Sequence, residues 1–232
     1  MRKIEAVFFD LDGTLLDRSA SVLKFIEDQY ERFRPQLSLI DKQLYKNRFI
    51  ELDARGYVWK DKVYSQLLQE LNIASLTWEE LLEDYIINFK NSSIGFPNLH
   101  AVLGKLRQMG IKLCLISNGK TLFQMANIKA LGIEGYFDSI LISEAVGLRK
   151  PDIRIFHKGM EDLSVSASRS IFVGDHPEND VKASRSTGMI GIWKRDDYWD
   201  RAEADFTIDE LVELLGIIQT GAEEHDQFSC FI

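Results

Sequence analysis

Short apolar runs with strand character alternate with helical stretches through most of this chain, and this alternation constrains the fold more than any other feature. The runs are VFF at 7–9, IKLCLIS at 111–117, ILIS at 140–143, SIFVG at 170–174 and IGIWK at 190–194. Helical spacing of apolar residues, ended by glycine, marks connecting segments such as HAVLGKLRQMG at 100–110. Apolar strands separated by helices are typical of a parallel sheet covered on both faces. The sequence therefore predicts an α/β fold.

One long interruption separates the first apolar run from the others. Residues 18–92 show helical spacing and little strand pattern, as in SASVLKFIEDQYERF at 19–33. Within this segment, Thr77 and Glu80 form a capping-box signature, in which a hydroxyl and a carboxylate satisfy N–H groups at the start of a helix. We therefore predict a core domain formed by residues 1–17 and 93–232, with residues 18–92 inserted as an α-helical domain.

The composition is that of an ordinary globular protein, since 45% of the 232 residues are hydrophobic and 28% are charged. The formal net charge of -8 argues against nucleic-acid or anionic-membrane partners. No apolar run approaches the length of a membrane span, and we see no signal-peptide pattern. Cys114 and Cys230 form neither a disulfide framework nor a CxxC pattern, which favours a reducing compartment. We expect a cytoplasmic monomer or small homo-oligomer.

Polar residues follow the strand runs at the points where the strands end. They are Asp10, Asp12 and Thr14 after the first run, Ser117 and Asn118 at the second, Lys150 after the third, and Asp175 and Asp180 after the fourth. The carboxyl ends of parallel strands share one edge of the sheet, so we expect these groups to converge. Clustered carboxylates repel one another unless a cation binds, and their hard oxygen ligands suit Mg²⁺. Hydroxyl, lysine and glycine-adjacent backbone N–H groups commonly hold phosphate, so the set predicts phosphoryl transfer.

Four short motifs carry these residues in order along the chain: DLDGT at 10–14, SNG at 117–119, RKP at 149–151 and GDHPEND at 174–180. Together they resemble the four motifs of the haloacid dehalogenase-like (HAD) hydrolase superfamily, and the similarity covers most of residues 4–215. The resemblance implies a Rossmann-like core with a helical cap inserted after the first motif, where residues 18–92 lie. It also implies a Mg²⁺-dependent, small-molecule phosphatase that forms an aspartyl-phosphate.

The resemblance assigns roles to the acidic residues. Asp10 matches the nucleophile and Asp12 the general acid and base. The metal ligands would be Asp10, the backbone carbonyl of Asp12 and Asp175, with Asp180 as a neighbour of the metal or a helix-capping group. The chemistry agrees, because a carboxylate attacks an anionic phosphate only when cations remove their repulsion, and a second carboxylate is needed for proton transfer. Taken alone, Asp12 would be more simply explained as part of a turn.

Four residues match the phosphate-binding positions of the superfamily. Thr14 and Ser117 match hydroxyls that position the phosphate, Asn118 would contact it through its backbone, and Lys150 matches the cation near the nucleophile. Each has a plainer alternative. Thr14 could cap a helix, Ser117 and Asn118 could belong to an ordinary turn, and Lys150 could be a solvated residue at a helix start.

Within the inserted segment, ARGYVWKDKVY at 54–64 gathers Arg55, Tyr57 and Lys60 beside a glycine that can bend the chain. One interpretation is a patch that contacts the non-phosphate part of the substrate and excludes water. The alternative is a solvated connection between helices whose aromatic residues pack inside the cap.

The predicted function is hydrolysis of a small phosphorylated metabolite, such as a sugar phosphate, phosphoglycolate or a nucleoside monophosphate. A phosphomutase of the beta-phosphoglucomutase type shares both aspartates and stays an alternative. A non-catalytic binding protein on the same fold would have no reason to keep mutually repelling carboxylates. A dehalogenase is disfavoured, because it needs neither an acid at Asp12 nor a metal ligand at Asp175.

Overall fold

The computed structural model describes residues 3–219, which form two compact units. Among the described residues, the first unit contains 3–17 and 95–219, and the second contains Arg18–Ile94. Cys230 and the last residues of the sequence lie outside the described part. None of the helices within residues 3–219 has the length and apolar character needed to span a membrane. The cytoplasmic location stays a prediction.

A parallel six-stranded sheet forms the centre of the first unit. Its strands are β1 (Ala6–Phe9), β2 (Lys112–Ser117), β3 (Ser139–Ile142), β4 (Ser170–Gly174), β5 (Ile190–Lys194) and β6 (Phe206–Ile208). They lie in the order β3-β2-β1-β4-β5-β6. The predicted α/β class is confirmed. The sequence did not predict β6, which has three residues, two of them exposed, and so lacks an apolar run.

The register brings the predicted motifs to one edge of the sheet. Phe9 at the end of β1 pairs with Leu115 of β2 on one side and with Val173 of β4 on the other. Asp10 therefore leaves the sheet beside the ends of both neighbouring strands, because all three strands run in the same direction. The chain reverses its strand order at β1, which is the kind of position where open α/β sheets bind ligands.

Helices cover the sheet. They are α6 (Leu99–Gln108), α7 (Thr121–Ala130), α8 (Ser143–Val146), α9 (Ile153–Leu163) and α10 (Ala183–Arg185), with 3₁₀ turns at Glu134–Tyr136 and Ala167–Arg169 and a π-helical turn at Pro177–Lys182. Residues 213–219 are also helical. The side chain of Asp152 caps α9 by accepting from the N–H of Arg154 at 3.0 Å. Gly159 lets α9 approach the sheet closely, since a Cβ atom there would lie 2.8 Å from Phe8.

The second unit is helical. Its elements are α1 (Arg18–Arg32), α2 (Arg34–Leu37), α3 (Lys42–Asp53), α4 (Lys60–Glu70) and α5 (Trp78–Asn88), with 3₁₀ turns at Ala54–Gly56 and Phe89–Ser92. Aromatic rings of α1 and α5 pack together, with the centroids of Phe25 and Tyr85 5.1 Å apart. The predicted capping box starts α5, where Thr77 accepts from the N–H of Glu80 and the Glu80 carboxylate accepts from the N–H of Thr77.

Candidate active site

The turn after β1 places the first two aspartates. The N–H of Asp10 donates to the carbonyl of Val173 at 2.9 Å, which ties the strand exit to β4. Gly13 then adopts a φ of +82°, a left-handed conformation that favours glycine. A Cβ atom at Gly13 would overlap the carboxylate of Asp175. The DG dipeptide therefore does more than form a turn, because it leaves room for an acidic side chain from the end of β4.

Three carboxylates meet at this edge of the sheet. One oxygen from each of Asp10, Asp175 and Asp180 lies within 4.8 Å of the other two. Lys150 joins them, with its Nζ 2.5 Å from Asp10 Oδ1 and 2.7 Å from Asp180 Oδ1. Asp10 is 7% exposed and Lys150 3% exposed, so water screens these charges little. The side chains of Asp10, Lys150, Asp175 and Asp180 thus lie close together in the structure, as their positions at the strand ends predicted.

Burial and mutual repulsion set the pKa values of the carboxylates. Burial raises the pKa of Asp10 from 3.8 to about 7; the charge of Lys150 opposes this shift, and that of Asp180 adds to it. Burial also raises the pKa of Asp175 well above its usual range, with further contributions from Asp10 and Asp180. One ammonium group is thus not enough to keep all the carboxylates ionised near neutral pH. A divalent cation with oxygen ligands fits this donor set.

In Lys150, unlike in the carboxylates, the surroundings favour the charged form of the side chain. Burial alone would lower the pKa of its ammonium group, but the nearby carboxylates of Asp10 and Asp180 outweigh this and raise the pKa above its usual range. Lys150 is therefore a permanent positive charge at the centre of the cluster. Its backbone is held too, because its N–H donates to Asn118 Oδ1 at 3.0 Å and its carbonyl accepts from Asn118 Nδ2 at 2.9 Å.

His176 and Asp180 shape the chain after β4. The Nδ1 atom of His176 accepts from the N–H groups of Glu178 and Asn179, both at 3.2 Å, and so caps the turn at Pro177–Lys182. The N–H of His176 donates to Asp180 Oδ2 at 3.1 Å, which fixes that carboxylate. Burial lowers the pKa of His176, which favours the neutral ring that can accept at Nδ1. The Nδ1 atom of His176 is therefore occupied in capping this turn.

The predicted phosphate-binding residues lie around the carboxylates. The hydroxyl oxygen of Thr14 is buried and has no hydrogen-bond partner among the described residues. Such a group is costly unless a ligand or water satisfies it. The side chain of Asn118 is occupied with the backbone of Lys150, which leaves its own backbone as the predicted phosphate contact. Ser117 Oγ accepts from Gln124 Nε2 at 2.9 Å.

Two further polar side chains near this edge were not predicted. Gln124 on α7 is 3% exposed and donates to Asp12 Oδ2 at 2.6 Å. Lys194 ends β5 and is buried, with its Nζ 3.8 Å from the centre of the Phe96 ring. Burial lowers the pKa of Lys194, although the negative charges of Asp175 and Asp17 act in the opposite direction. The sequence offered no usable signal for either residue; the structure shows that Gln124 lies on the face of α7 that also carries the buried residues Asn127 and Ile128.

The three residues proposed from the inserted segment differ in burial. Arg55 and Tyr57 are exposed, whereas Lys60 is buried and pairs with Asp53. The other oxygen of Asp53 accepts from Arg18 at 2.9 Å. The ammonium of Lys60 also lies 5.2 Å from the centre of the Tyr85 ring. Lys60 thus belongs to a buried ion cluster, and the substrate role of all three residues stays a prediction.

This fold and this acidic cluster define a class of protein. The chain belongs to the haloacid dehalogenase-like hydrolase family, whose sequence profile it matches over residues 7–193. It is 30% identical over 228 residues to the glyceraldehyde 3-phosphate phosphatase of Methanocaldococcus jannaschii, an alignment that covers 93% of this chain and 97% of the relative. The predicted family and enzyme class are confirmed: the protein is a hydrolase of the phosphatase type.

Solved structures agree with this assignment. A HAD phosphatase from Thermococcus onnurineus superposes with a TM-score of 0.65 at 29% identity, covering 93% of this chain and 98% of that one. YfnB from Bacillus subtilis, whose structure was determined bound to magnesium, superposes with a TM-score of 0.75 at 22% identity and covers 94% of this chain and 99% of its own. The second likeness concerns the fold alone.

Proposed function

We propose that this protein is a Mg²⁺-dependent phosphatase that hydrolyses a small phosphorylated metabolite through an aspartyl-phosphate on Asp10. The observation that carries the proposal is the position of Asp10. Its carboxylate is buried between the ammonium of Lys150 and the carboxylates of Asp175 and Asp180. A buried carboxylate beside a fixed cation and a set of oxygen ligands is suited to attack on a phosphoryl group.

The metal would be held by Asp10, Asp175 and the backbone carbonyl of Asp12, with Asp180 supporting the site through Lys150. When bound, Mg²⁺ would neutralise the charge of the carboxylates and of the phosphoryl group. The raised pKa values of Asp10 and Asp175 support this assignment, since both carboxylates lack sufficient positive charge in the protein itself. Thr14, Ser117 and the backbone of Asn118 would bind the phosphoryl oxygens.

The reaction would proceed in two halves. In the first, an oxygen of Asp10 forms a bond to phosphorus, the bond from phosphorus to the ester oxygen breaks, and Asp12 gives its proton to that oxygen. In the second, Asp12 takes a proton from a water molecule whose oxygen attacks the phosphorus. The bond from phosphorus to Asp10 then breaks, which regenerates the carboxylate and releases inorganic phosphate.

A panel of phosphate esters tests this function. The relative named for glyceraldehyde 3-phosphate makes that compound the first choice, followed by phosphoglycolate, sugar phosphates, nucleoside monophosphates and phosphoserine. With Mg²⁺ we expect phosphate release from at least one of them with a kcat/KM of about 10⁴ M⁻¹ s⁻¹ or more. Release from none of them, with aryl phosphates also inert, contradicts the proposal. Isomerisation of a sugar phosphate without phosphate release would indicate the phosphomutase alternative instead, and chloride release from chloroacetate a dehalogenase.

We also propose that Arg55, Tyr57 and Lys60 contact the non-phosphate part of the substrate. Their replacement by Ala is expected to change kcat/KM unequally across the panel, by about 1–3 kcal/mol per lost contact, and to leave a plain aryl phosphate nearly unaffected. Lys60→Ala should in addition lower the melting temperature, because Asp53 then keeps only part of its buried charge compensation.

The matched control is Lys62→Ala, which removes an exposed lysine from the same helix, α4. Kinetics on each substrate and melting temperatures are measured for all four variants. Equal losses on every substrate would show that these residues do not select. A fall in stability with unchanged selectivity for Lys60→Ala would assign that residue to the ion cluster alone.

A further inference from the structure

We propose that Gln124 is a positioning residue, which holds Asp12 in place and selects the carboxylate oxygen that carries the transferred proton. The inference rests on the proposed function, since it concerns the general acid and base of that reaction. It is carried by direct contacts within the first unit, between α7 and the ends of β1 and β2.

The side-chain amide of Gln124 joins two of the predicted site residues. Its Nε2 atom donates to Asp12 Oδ2 at 2.6 Å and to Ser117 Oγ at 2.9 Å, and it lies 3.3 Å from the carbonyl oxygen of Asn118. An amide nitrogen carries two hydrogens. The two shorter contacts therefore take one hydrogen each, and the carbonyl of Asn118 shares one of them.

The orientation of the amide is fixed from its other side. Asn127, one helical turn further along α7, donates from Nδ2 to Gln124 Oε1 at 3.4 Å. Both side chains are buried. An amide turned by 180° would bring its carbonyl oxygen against the ionised carboxylate of Asp12 and against the carbonyl of Asn118, neither of which can donate. The arrangement with Nε2 toward Asp12 is the one that satisfies these groups.

The glycine of the SNG motif makes room for this side chain. A Cβ atom at Gly119 would lie 2.9 Å from Gln124 Cγ and 3.0 Å from Nε2, which is closer than carbon packing allows. Gly119 also has a φ of +159°. The path of Gln124 to Asp12 thus gives a steric reason for glycine at this position.

The contact has a chemical consequence for Asp12. An amide N–H donates only, so Asp12 Oδ2 must accept from Gln124 whether or not Asp12 is protonated. In a carboxylic acid the carbonyl oxygen accepts better than the hydroxyl oxygen, so when Asp12 acts as the acid its proton is carried on Oδ1, which faces no donor among the described residues. The proton leaves Oδ1 for the ester oxygen, and the carboxylate that remains keeps its bond to Gln124. Without Gln124, the carboxyl group would rotate and present either oxygen.

The test uses aryl phosphates whose leaving phenols differ in acidity, together with Gln124→Met, which keeps the length of the side chain and removes the amide. A poor leaving group needs the proton of Asp12, whereas a good one departs without it. We expect kcat/KM for phenyl phosphate to fall about 10- to 100-fold, and kcat/KM for dinitrophenyl phosphate to fall less than about threefold, because kcat/KM reports the first half of the reaction, in which the leaving group departs. The ratio of the two rates is independent of the fraction of folded enzyme, so partial misfolding cannot produce the result.

A double-mutant cycle separates positioning from packing. In an Asp12→Asn background, adding Gln124→Met should cause little further loss on phenyl phosphate, because the proton donor is already absent. Gln108→Met, at an exposed position of α6, is the control for the substitution itself. Equal losses on both substrates, or fully additive losses in the cycle, would overturn the inference. Failure of the proposed function would be visible separately, as an unmodified enzyme that releases no phosphate from any ester.

Discussion

Asp10→Asn is expected to abolish phosphate release from every substrate, by about 10⁴-fold or more in kcat. An amide is too poor a nucleophile to attack phosphorus. Asp10 is also the carboxylate of the cluster that directly follows β1 and pairs with Lys150, so another carboxylate is not placed to take over its role. The substitution should not destabilise the metal-free protein, because burial already disfavours the charged form of Asp10 by raising its pKa to about 7. Steady-state kinetics and thermal unfolding of the purified variant provide the measurement.

Asp12→Asn is the matched variant for this experiment. It should also be severely slowed, but it keeps the nucleophile, so an aspartyl-phosphate can still form when the leaving group is good. Rapid mixing with dinitrophenyl phosphate should then show a burst of phenol with Asp12→Asn and none with Asp10→Asn. Turnover close to that of the unmodified enzyme in Asp10→Asn would remove Asp10 from the nucleophile role.

Removal of divalent metal is expected to have an effect of similar size. An excess of chelator should eliminate activity on an aryl phosphate, and Mg²⁺ should restore it. Ca²⁺ should substitute poorly, since it accepts looser and higher coordination than octahedral Mg²⁺. Full activity in excess chelator would contradict the proposed mechanism.

The same metal site should be visible in the stability of the protein, without any turnover. The pKa of Asp10 is raised from 3.8 to about 7, so between these pH values Asp10 is more protonated in the folded protein than in the unfolded chain. Stability of the chelated protein should therefore fall as the pH rises from about 4 to about 7, by on the order of a few kcal/mol. Asp175 is shifted in the same direction. Mg²⁺ favours the ionised carboxylates, so it should stabilise the protein at pH 7.5 much more than at pH 5, as measured by melting temperatures.

The parts of the fold that could be predicted are those in which burial leaves a trace in the sequence. β1, β2, β4 and β5 are apolar runs because both faces of the sheet are covered. β6 leaves no such trace, since it is short and mostly exposed at the edge of the sheet. For the segment after β4, ENDVKASRSTG at 178–188 predicts a single helix, whereas the structure has the π-helical turn at Pro177–Lys182 followed by the short helix α10.

The site divides along similar lines. Asp10, Lys150 and Asp175 could be placed together because strand ends of a parallel sheet converge. Gln124 could not, because a single glutamine in a helix has no pattern that distinguishes a buried position from an exposed one. Lys60 shows the limit most clearly. The left-handed residues at Ala54–Gly56 separate α3 from α4, and across them Lys60 reaches Asp53, a contact that no helical periodicity encodes.

The position of β1 in the middle of the sheet has a consequence for incomplete chains. β1 is synthesised first, yet its two partners begin much later, at Lys112 and Ser170. A product that stops before Ser170 would leave one edge of β1 with open N–H and C=O groups on a strand whose residues are all apolar. Such an edge pairs readily with another chain. C-terminally truncated forms of this enzyme are therefore expected to aggregate, and a deletion series should show solubility returning only once β4 is complete.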